Sequence, residues 1–385
     1  MNKLYLDNAA TSYPKAPKVS EKMCEYINKV GSNVSRGIYS SSKNAGQVVY
    51  KTREMLCDLF NFDEPLNVVF TKNITESLNT IIKGYLKDGD HVIVSSMEHN
   101  AVMRPLMGLK GIEIDRVPCD SLGKLNPNDI EKYIKPNTKL LIMIHASNVC
   151  GTIIDAEAVG KICKKHNIKF VLDTAQTSGI LPVDFKKYNL SALCFTGHKG
   201  LLGPQGIGGF LINSEFAKEI KPLIEGGTGS LSESELQPGY LPDKFEAGTL
   251  NIPGIYGLNA SLKYIKDKGI ENIKAIEDDL TKRFLDNINN MDDAVLYGIN
   301  GTEGRTAVIS LDFPKLDNSE VAFVLDRDFG IMTRVGLHCA PSAHKTLGSY
   351  PKGTVRFSPG HFLTVKDIDY ACQCIYKTLK LLKSE

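Results

Sequence analysis

An α/β architecture is what the chain predicts, with a large domain built on a mostly parallel sheet and a smaller α+β domain after it. Three observations lead there. Between about residues 65 and 215, short apolar and β-branched runs alternate with helical stretches. Polar residues collect where those runs end. From about residue 256 the alternation gives way to helix, two strands, helix, strand and helix.

In order, NVVF, HVIVSS, KLLIMIHAS, IKFVLDT, ALCFTG and GIGGFLI read as strands. The stretch ITESLNTIIKGYL reads as an amphipathic helix with Ile74, Leu78, Ile81 and Ile82 on one side. Thr71, His99, Asn148, Asp173 and Thr196 fall at or just past strand ends, where open parallel sheets bind ligands, so one site built from five loops is expected. The Gly-, Ser- and Pro-rich stretch from Gly226 to Leu250 reads as an active-site loop before a helix over about 255–268. Then come a helix (NIKAIEDDLTKRFLDNI), strands AVLYGI and TAVISLDF, a helix (SEVAFVLDRDF), a loop, the strand TVRFS and a closing helix. The expected division is 15–255 for the large domain and 256–385 for the small one, with 1–14 packing nearby.

At 385 residues, 42% of them apolar and 23% charged, the chain is long enough for a sizeable core with a cleft. A net charge of +2 and the lack of a basic run with interleaved aromatics exclude nucleic acid as an expected partner. No segment has the pattern of a membrane span or a signal sequence, and nine scattered cysteines fit reduced thiols. A cytoplasmic location is expected.

The sharpest chemical feature is SALCFTGHKGLLGPQGIGGFLI, where a strand runs into a loop bearing Thr196, His198 and Lys199. A loop lysine alone reads as solvated surface. Flanking glycines would let backbone approach a ligand, and a desolvated lysine near other cations becomes a nucleophilic amine. Asp173 ends the strand IKFVLD, where a buried carboxylate needs a cation; a protonated pyridine nitrogen would supply one and keep the ring electron-accepting. Read alone it equally fits a turn cap. Gln176 follows, placed for a ring hydroxyl. The helix start at TKNITES offers free N–H groups and the Thr75 hydroxyl to a phosphate, with Thr196 and His198 completing a cradle; Thr75 alone reads as an N-cap. His99 could stack on an aromatic ring and move protons, or serve as a structural hydrogen-bonder, and Asn148 is a turn residue or a cofactor contact. The glycines of GIGG lead into a strand instead of opening a helix, which argues against nucleotide binding.

Along nearly the whole chain, YLDNAAT, MEH, HASNVCGT, LDTAQ, TGHK, FEAGT, GLHCAP and VRFS appear in the order of, and resemble, the motifs of the cysteine desulfurase and selenocysteine lyase family, within the class V aminotransferase-like group. The resemblance implies the pyridoxal 5′-phosphate (PLP) transferase fold of type I, with a mostly parallel seven-stranded sheet, and a homodimer. It implies Lys199 as the cofactor-linked and catalytic lysine, Asp173 on the ring nitrogen, and His99 over the ring in a catalytic place. Asn148 and Gln176 lie near the ring hydroxyl, and Thr75, Glu76, Thr196 and His198 are cofactor contacts. Thr249 would reach the phosphate across the dimer interface. Arg356, with Asn148 and Arg36, would bind the substrate, Arg356 gripping its carboxylate.

The resemblance also makes Cys339 the nucleophile that takes the substrate sulfur as a persulfide. Its neighbours Arg334, His338 and His344 are expected to favour a thiolate by positive charge. A metal reading of His338, Cys339 and His344 lacks a fourth ligand, so no metal site is expected. Cys372 and Cys374 read as core. Ser35 precedes Arg36 where one branch of the family has a histidine. The short loop from Cys339 to Arg356 is similar to the branch with a rigid cysteine segment, which implies a helper sulfur or selenium acceptor. The expected reaction is conversion of L-cysteine to L-alanine and persulfide, or of L-selenocysteine to alanine and selenide. Another PLP-dependent β-lyase, epimerase or transaminase is the alternative, and a fold-retaining binding protein the third reading.

Overall fold

A computed structural model describes residues 3–34 and 39–384. Arg36 and Ser35 therefore lie outside the described residues. The strands are β1 (Leu4–Tyr5), β2 (Val68–Thr71), β3 (His91–Ser95), β4 (Glu113–Val117), β5 (Thr138–Ile144), β6 (Lys169–Asp173), β7 (Ala192–Thr196), β8 (Gly208–Ile212), β9 (Val295–Tyr297), β10 (Ile309–Asp312), β11 (Ile331–Met332), β12 (Arg334–Gly336) and β13 (Thr354–Phe357). The α-helices are α1 (Val19–Glu25), α2 (Ser40–Phe60), α3 (Ile74–Tyr85), α4 (Asn100–Met107), α5 (Ala156–Lys165), α6 (Ser214–Glu219), α7 (Ile252–Lys268), α8 (Ile270–Ile288), α9 (Asn318–Phe329), α10 (Pro341–Leu347) and α11 (Val365–Ser384).

Seven strands form one sheet in the order β2-β8-β7-β6-β5-β3-β4. All run parallel except β8, which is antiparallel to both neighbours. Successive strand residues face opposite sides, so Ile93, Leu141, Leu172 and Leu193 pack under α2, α5 and α7, while Val92, Ile142, Val171 and Phe210 pack against α3, α4 and α6. Both faces are covered, which explains the continuous apolar runs. Periodicity reveals six of these strands and misses β4, because EIDRV lies at the sheet edge with only Val117 fully buried.

A second, antiparallel sheet has the order β12-β13-β10-β9 and shares a core with α8, α9 and α11 through Phe284, Leu311, Leu325, Phe357 and Ile375. Leu4 and Leu6 join this core, and β1 pairs in parallel with β11. The segment expected to be a loop after α9 instead holds β11, β12 and α10, all two to seven residues long and too short for a periodic signal. Helix α7 starts at Ile252, ahead of the expected 255, with Asn251 accepting from the Gly254 N–H as its cap. Its apolar side chains, Ile255 and Leu258 among them, join the core of the large sheet.

One buried ion pair ties the Gly-rich segment to this body. Arg53 on α2 meets Glu246 through two hydrogen bonds, 2.9 and 2.7 Å, and Glu246 also accepts from the Phe70 N–H at 2.6 Å. Both side chains are nearly inaccessible. Glu246→Ala leaves the buried guanidinium without its counter-charge, with only the Val68 carbonyl as a partner, and strands the Phe70 amide of β2, so it should lower stability by about 3–5 kcal/mol. Urea unfolding followed by circular dichroism checks this; a midpoint equal to that of the parent would refute it.

Candidate active site

Strand β4 lies on one side of β3 and β5 on the other, so the chain reverses its direction of progress across the sheet between β3 and β5. A crevice opens at the carboxyl ends there. Three loops with expected site residues rise around it: His99 after β3, Asn148 after β5 and Asp173 at the end of β6. Thr196 ends β7, and Thr71 ends β2 at the same edge of the sheet.

Asp173 is 2% exposed and accepts from the Ala175 N–H at 2.9 Å. Burial raises its pKa, against the pull of that N–H and of Lys199. Lys199 borders a small cavity with Ser12, Gln176 and Ser358. Its ammonium is pulled down to about 8, first by desolvation, then by Arg356 and Arg334, with Asp173 and Asp7 opposing. A poised amine therefore faces a buried acid. The adjacent glycines serve packing more than ligand approach: a Cβ on Gly200 would sit 2.5 Å from the Ser178 carbonyl oxygen, and one on Gly197 2.9 Å from that of Ile207.

The His198 peptide is staked by the N-terminal segment. Its carbonyl accepts from the Ser12 N–H at 2.9 Å, from the hydroxyls of Thr11 and Ser12 at 3.1 Å each, and from Lys15 Nζ at 2.8 Å. Gln176 Nε2 donates to the Ala9 carbonyl at 3.1 Å, which joins the same segment to the turn after β6. Nothing in the local pattern of LDNAATSYPK marks it as a strap; the signal is visible only through the motif YLDNAAT.

His99 caps α4, its Nδ1 accepting from the Ala101 N–H at 3.0 Å, so the neutral ring carries its proton on Nε2. Burial, then Lys199, Arg334, Arg356 and Arg104, push its pKa down to about 4. The Asn100 N–H, next in the chain, donates to the Cys339 carbonyl at 2.8 Å, which brings the cysteine beside His99. Cys339 is exposed, and both it and His338 take positive φ, 59° and 47°. Arg334 Nη2 approaches its sulfur at 3.8 Å.

His338 and His344 do not supply the expected positive charge. Burial, then Arg356, His344 and Arg334, drive His338 down to about 2, and burial alone takes His344 to about 4. Both rings are neutral near pH 7, and Arg334 is the cation at the sulfur.

Arg356 on β13 donates to the Asn148 carbonyl at 3.0 Å and to Asp7 at 2.7 Å, while its Nε stays buried without a partner. Asp7 stands in YLDNAAT but carries no local signal of a site residue, because its pair with Arg356 spans nearly the whole chain. The Asn148 amide donates to the His338 carbonyl at 2.7 Å. Asn148 Oδ1, Thr196 Oγ1 and His198 Nδ1 are also buried without partners. Unpaired polar atoms around a buried acid and a poised amine suit an anionic aromatic cofactor.

The cap of α3 is Asn73, which accepts from the Glu76 N–H at 3.0 Å, and not Thr75; Thr75 sits exposed in the first turn. Glu76 turns its carboxylate back onto the Lys72 N–H at 2.7 Å. Thr249 is exposed before α7 and makes no hydrogen bond to the crevice residues among those described. Cys372 and Cys374 are buried in α11, as expected.

The Lys199 amine should react with an acylating reagent along a curve half-maximal near pH 8 in the cofactor-free protein. Peptide mapping separates it from Lys15, whose amine burial also brings to about 8. A half-maximum near 10 at Lys199 would contradict the desolvation, reinforced by Arg356 and Arg334, described above.

Residues 4–371 match the sequence profile of the aminotransferase class-V family. The chain is 37% identical to a probable cysteine desulfurase of Pyrococcus abyssi, over 99% of this chain and 95% of that one. It superposes on the apo structure of a cysteine desulfurase from Thermococcus onnurineus with a TM-score of 0.91 and 34% identity, covering 100% and 95% of the two chains. The cysteine desulfurase CsdA of Escherichia coli, solved as an S-sulfonic acid, gives a TM-score of 0.87 at 26% identity, covering 98% and 94%. The architecture is the type I fold of PLP enzymes, and the chain belongs to the class V aminotransferase family.

Proposed function

We propose that the chain is a PLP-dependent cysteine desulfurase that converts L-cysteine to L-alanine and holds the sulfur on Cys339 as a persulfide. The observation that carries this reading is the Cys339 turn, exposed and tied to the residue after His99, with Arg334 at its sulfur. A transaminase or epimerase of the same fold has no use for a thiol at that point. The names of the Pyrococcus and Thermococcus relatives agree with it.

The residues present fit the cofactor. Lys199 would hold it covalently, Asp173 would keep the proton on the ring nitrogen, and His99 would cover the ring. Thr75, Thr196 and His198 would hold the phosphate, and Asn148 and Gln176 the ring hydroxyl. When bound, PLP supplies a sink for the electron pair left when the α-proton departs. Lys199 Nζ takes that proton, a task suited to an amine whose pKa desolvation has lowered. Arg356 binds the substrate carboxylate; its Nε is buried without a partner, while its two Nη atoms are held by the Asn148 carbonyl and Asp7. The Cys339 thiolate then attacks the substrate sulfur: an S–S bond forms as the Cβ–S bond breaks, Cβ takes up one proton, and Lys199 Nζ returns the proton to Cα, which completes alanine.

L-Selenocysteine presents the same carboxylate and amine with a more readily leaving chalcogen, so it belongs in the proposal as a second substrate. We also place the chain in a homodimer, where exposed Thr249 reaches the partner's phosphate, in the cytoplasm, with an acceptor protein for the sulfur. Among the described residues no helix is long and apolar enough to cross a membrane.

Incubated with L-cysteine and a thiol, the PLP-loaded protein should release alanine and sulfide in equal amounts. Cys339→Ser should cut sulfide release from L-cysteine by orders of magnitude while leaving the visible cofactor absorbance in place, and Lys199→Ala should lose that absorbance. Absence of alanine from both L-cysteine and L-selenocysteine would overturn the reading.

A further inference from the structure

The MEH segment carries an acid that the proposed reaction does not use. Glu98 is 1% exposed, one residue before His99, and its carboxyl meets the carboxyl ends of β3 and β5. The pairing of β3 with β5 ends at Val94 and Ile142, whereas β3 continues along β4 to Ser95 and β5 along β6 to Ile144. The two strands part there, and their last amides lose the partners a continued ladder would provide. Glu98 fills the gap. Its carboxyl oxygens accept from the Ile144 N–H at 3.1 and 3.0 Å, and one of them also receives the Ser95 hydroxyl and, at 3.4 Å, the Ser95 N–H. The Ser95 hydroxyl in turn accepts from the Met97 N–H at 3.1 Å, closing the turn that presents His99.

We propose that Glu98 is a positioning residue: a wedge that holds β3 and β5 apart beneath the cofactor crevice and sets His99 above it, working as the uncharged acid. The inference rests on the reading of this crevice as the PLP site.

Among the described residues no cation pairs with the Glu98 carboxyl, and the ionisable groups there that act on it or respond to it are Asp173 on β6 and Cys119 beyond β4. An anion in that place would face a second buried carboxylate with no counter-charge, which disfavours ionisation. Burial first, with Asp173 adding to it against the Ser95 and Ile144 hydrogen bonds, raises its pKa to about 8.

The sign follows from proton counts. Between the ordinary carboxyl pKa of 4.5 and about 8, the folded chain keeps a proton that the unfolded chain has released. Stability from this group therefore falls as pH rises through that window, and levels off above it. Glutamine keeps one acceptor oxygen and cannot ionise. The unfolding midpoint of Glu98→Gln minus that of the parent, measured without cofactor, should rise steadily from pH 5 to 8; Lys199 titrates in both proteins and cancels. Glu98→Ala removes both acceptors. It should weaken PLP binding about tenfold, and reduce the circular dichroism that the site imposes on bound PLP, whereas Glu98→Gln should stay near the parent in both. Should Glu98→Ala fail to fold, the Gln difference curve still decides. A flat curve overturns the uncharged acid, and Ala binding PLP as tightly and with the same dichroism as the parent overturns the wedge. A parent protein that takes up no PLP overturns the cofactor reading instead, and the pH curve still judges Glu98.

Discussion

Beyond Val94 and Ile142 the parallel strands β3 and β5 no longer pair, because β4 has been laid down on one side of β3 before the chain crosses to build β5 on the other. Helices cover both faces of the sheet, so the gap opens only at the carboxyl edge. Four side chains of the site follow from that edge. His99 and Asn148 stand four residues past the ends of their strands, and Asp173 and Thr196 terminate theirs. A buried acid at Asp173 and a buried amine at Lys199 are tolerable there because each lies within reach of the other's field.

The crevice would remain half a site without the N-terminal segment. It threads between the two cores: β1 joins β11, Asp7 holds Arg356, Asn8 donates to the Ser358 carbonyl, and Ser12 and Lys15 converge on the His198 carbonyl. One short stretch thus fixes both the lysine loop and the strand that carries the arginine. The resulting field is cationic at Lys199, Arg334 and Arg356, balanced by Asp7 and Asp173. It suits a carboxylate, a thiolate and a phosphate, and it keeps His99 neutral.

Much of this is legible in the amino-acid order. Apolar runs bounded by polar residues mark six strands, and the residues just past them are those that line the crevice. Edge strand β4 escapes because half-exposed EIDRV has no apolar run, and β11, β12 and α10 escape because they are too short for a period to show. The expected thiolate-favouring histidines illustrate a different limit. His338 and His344 stand close to Cys339 in the chain, yet burial strips them of charge and leaves the sulfur with Arg334.

By itself, then, the order of residues determined most of the elements and the strand-end position of the crevice, since these depend on side chains within a few residues of one another. Tertiary structure alone decided which atoms remain unpaired and which groups carry charge. Asp7 meets Arg356 across 349 positions, Cys339 is seated by the amide of Asn100, and Glu98 caps strands that separate beside it. Desolvation and hydrogen-bond completion are properties of surfaces brought together from distant parts of the chain, and no local pattern encodes them.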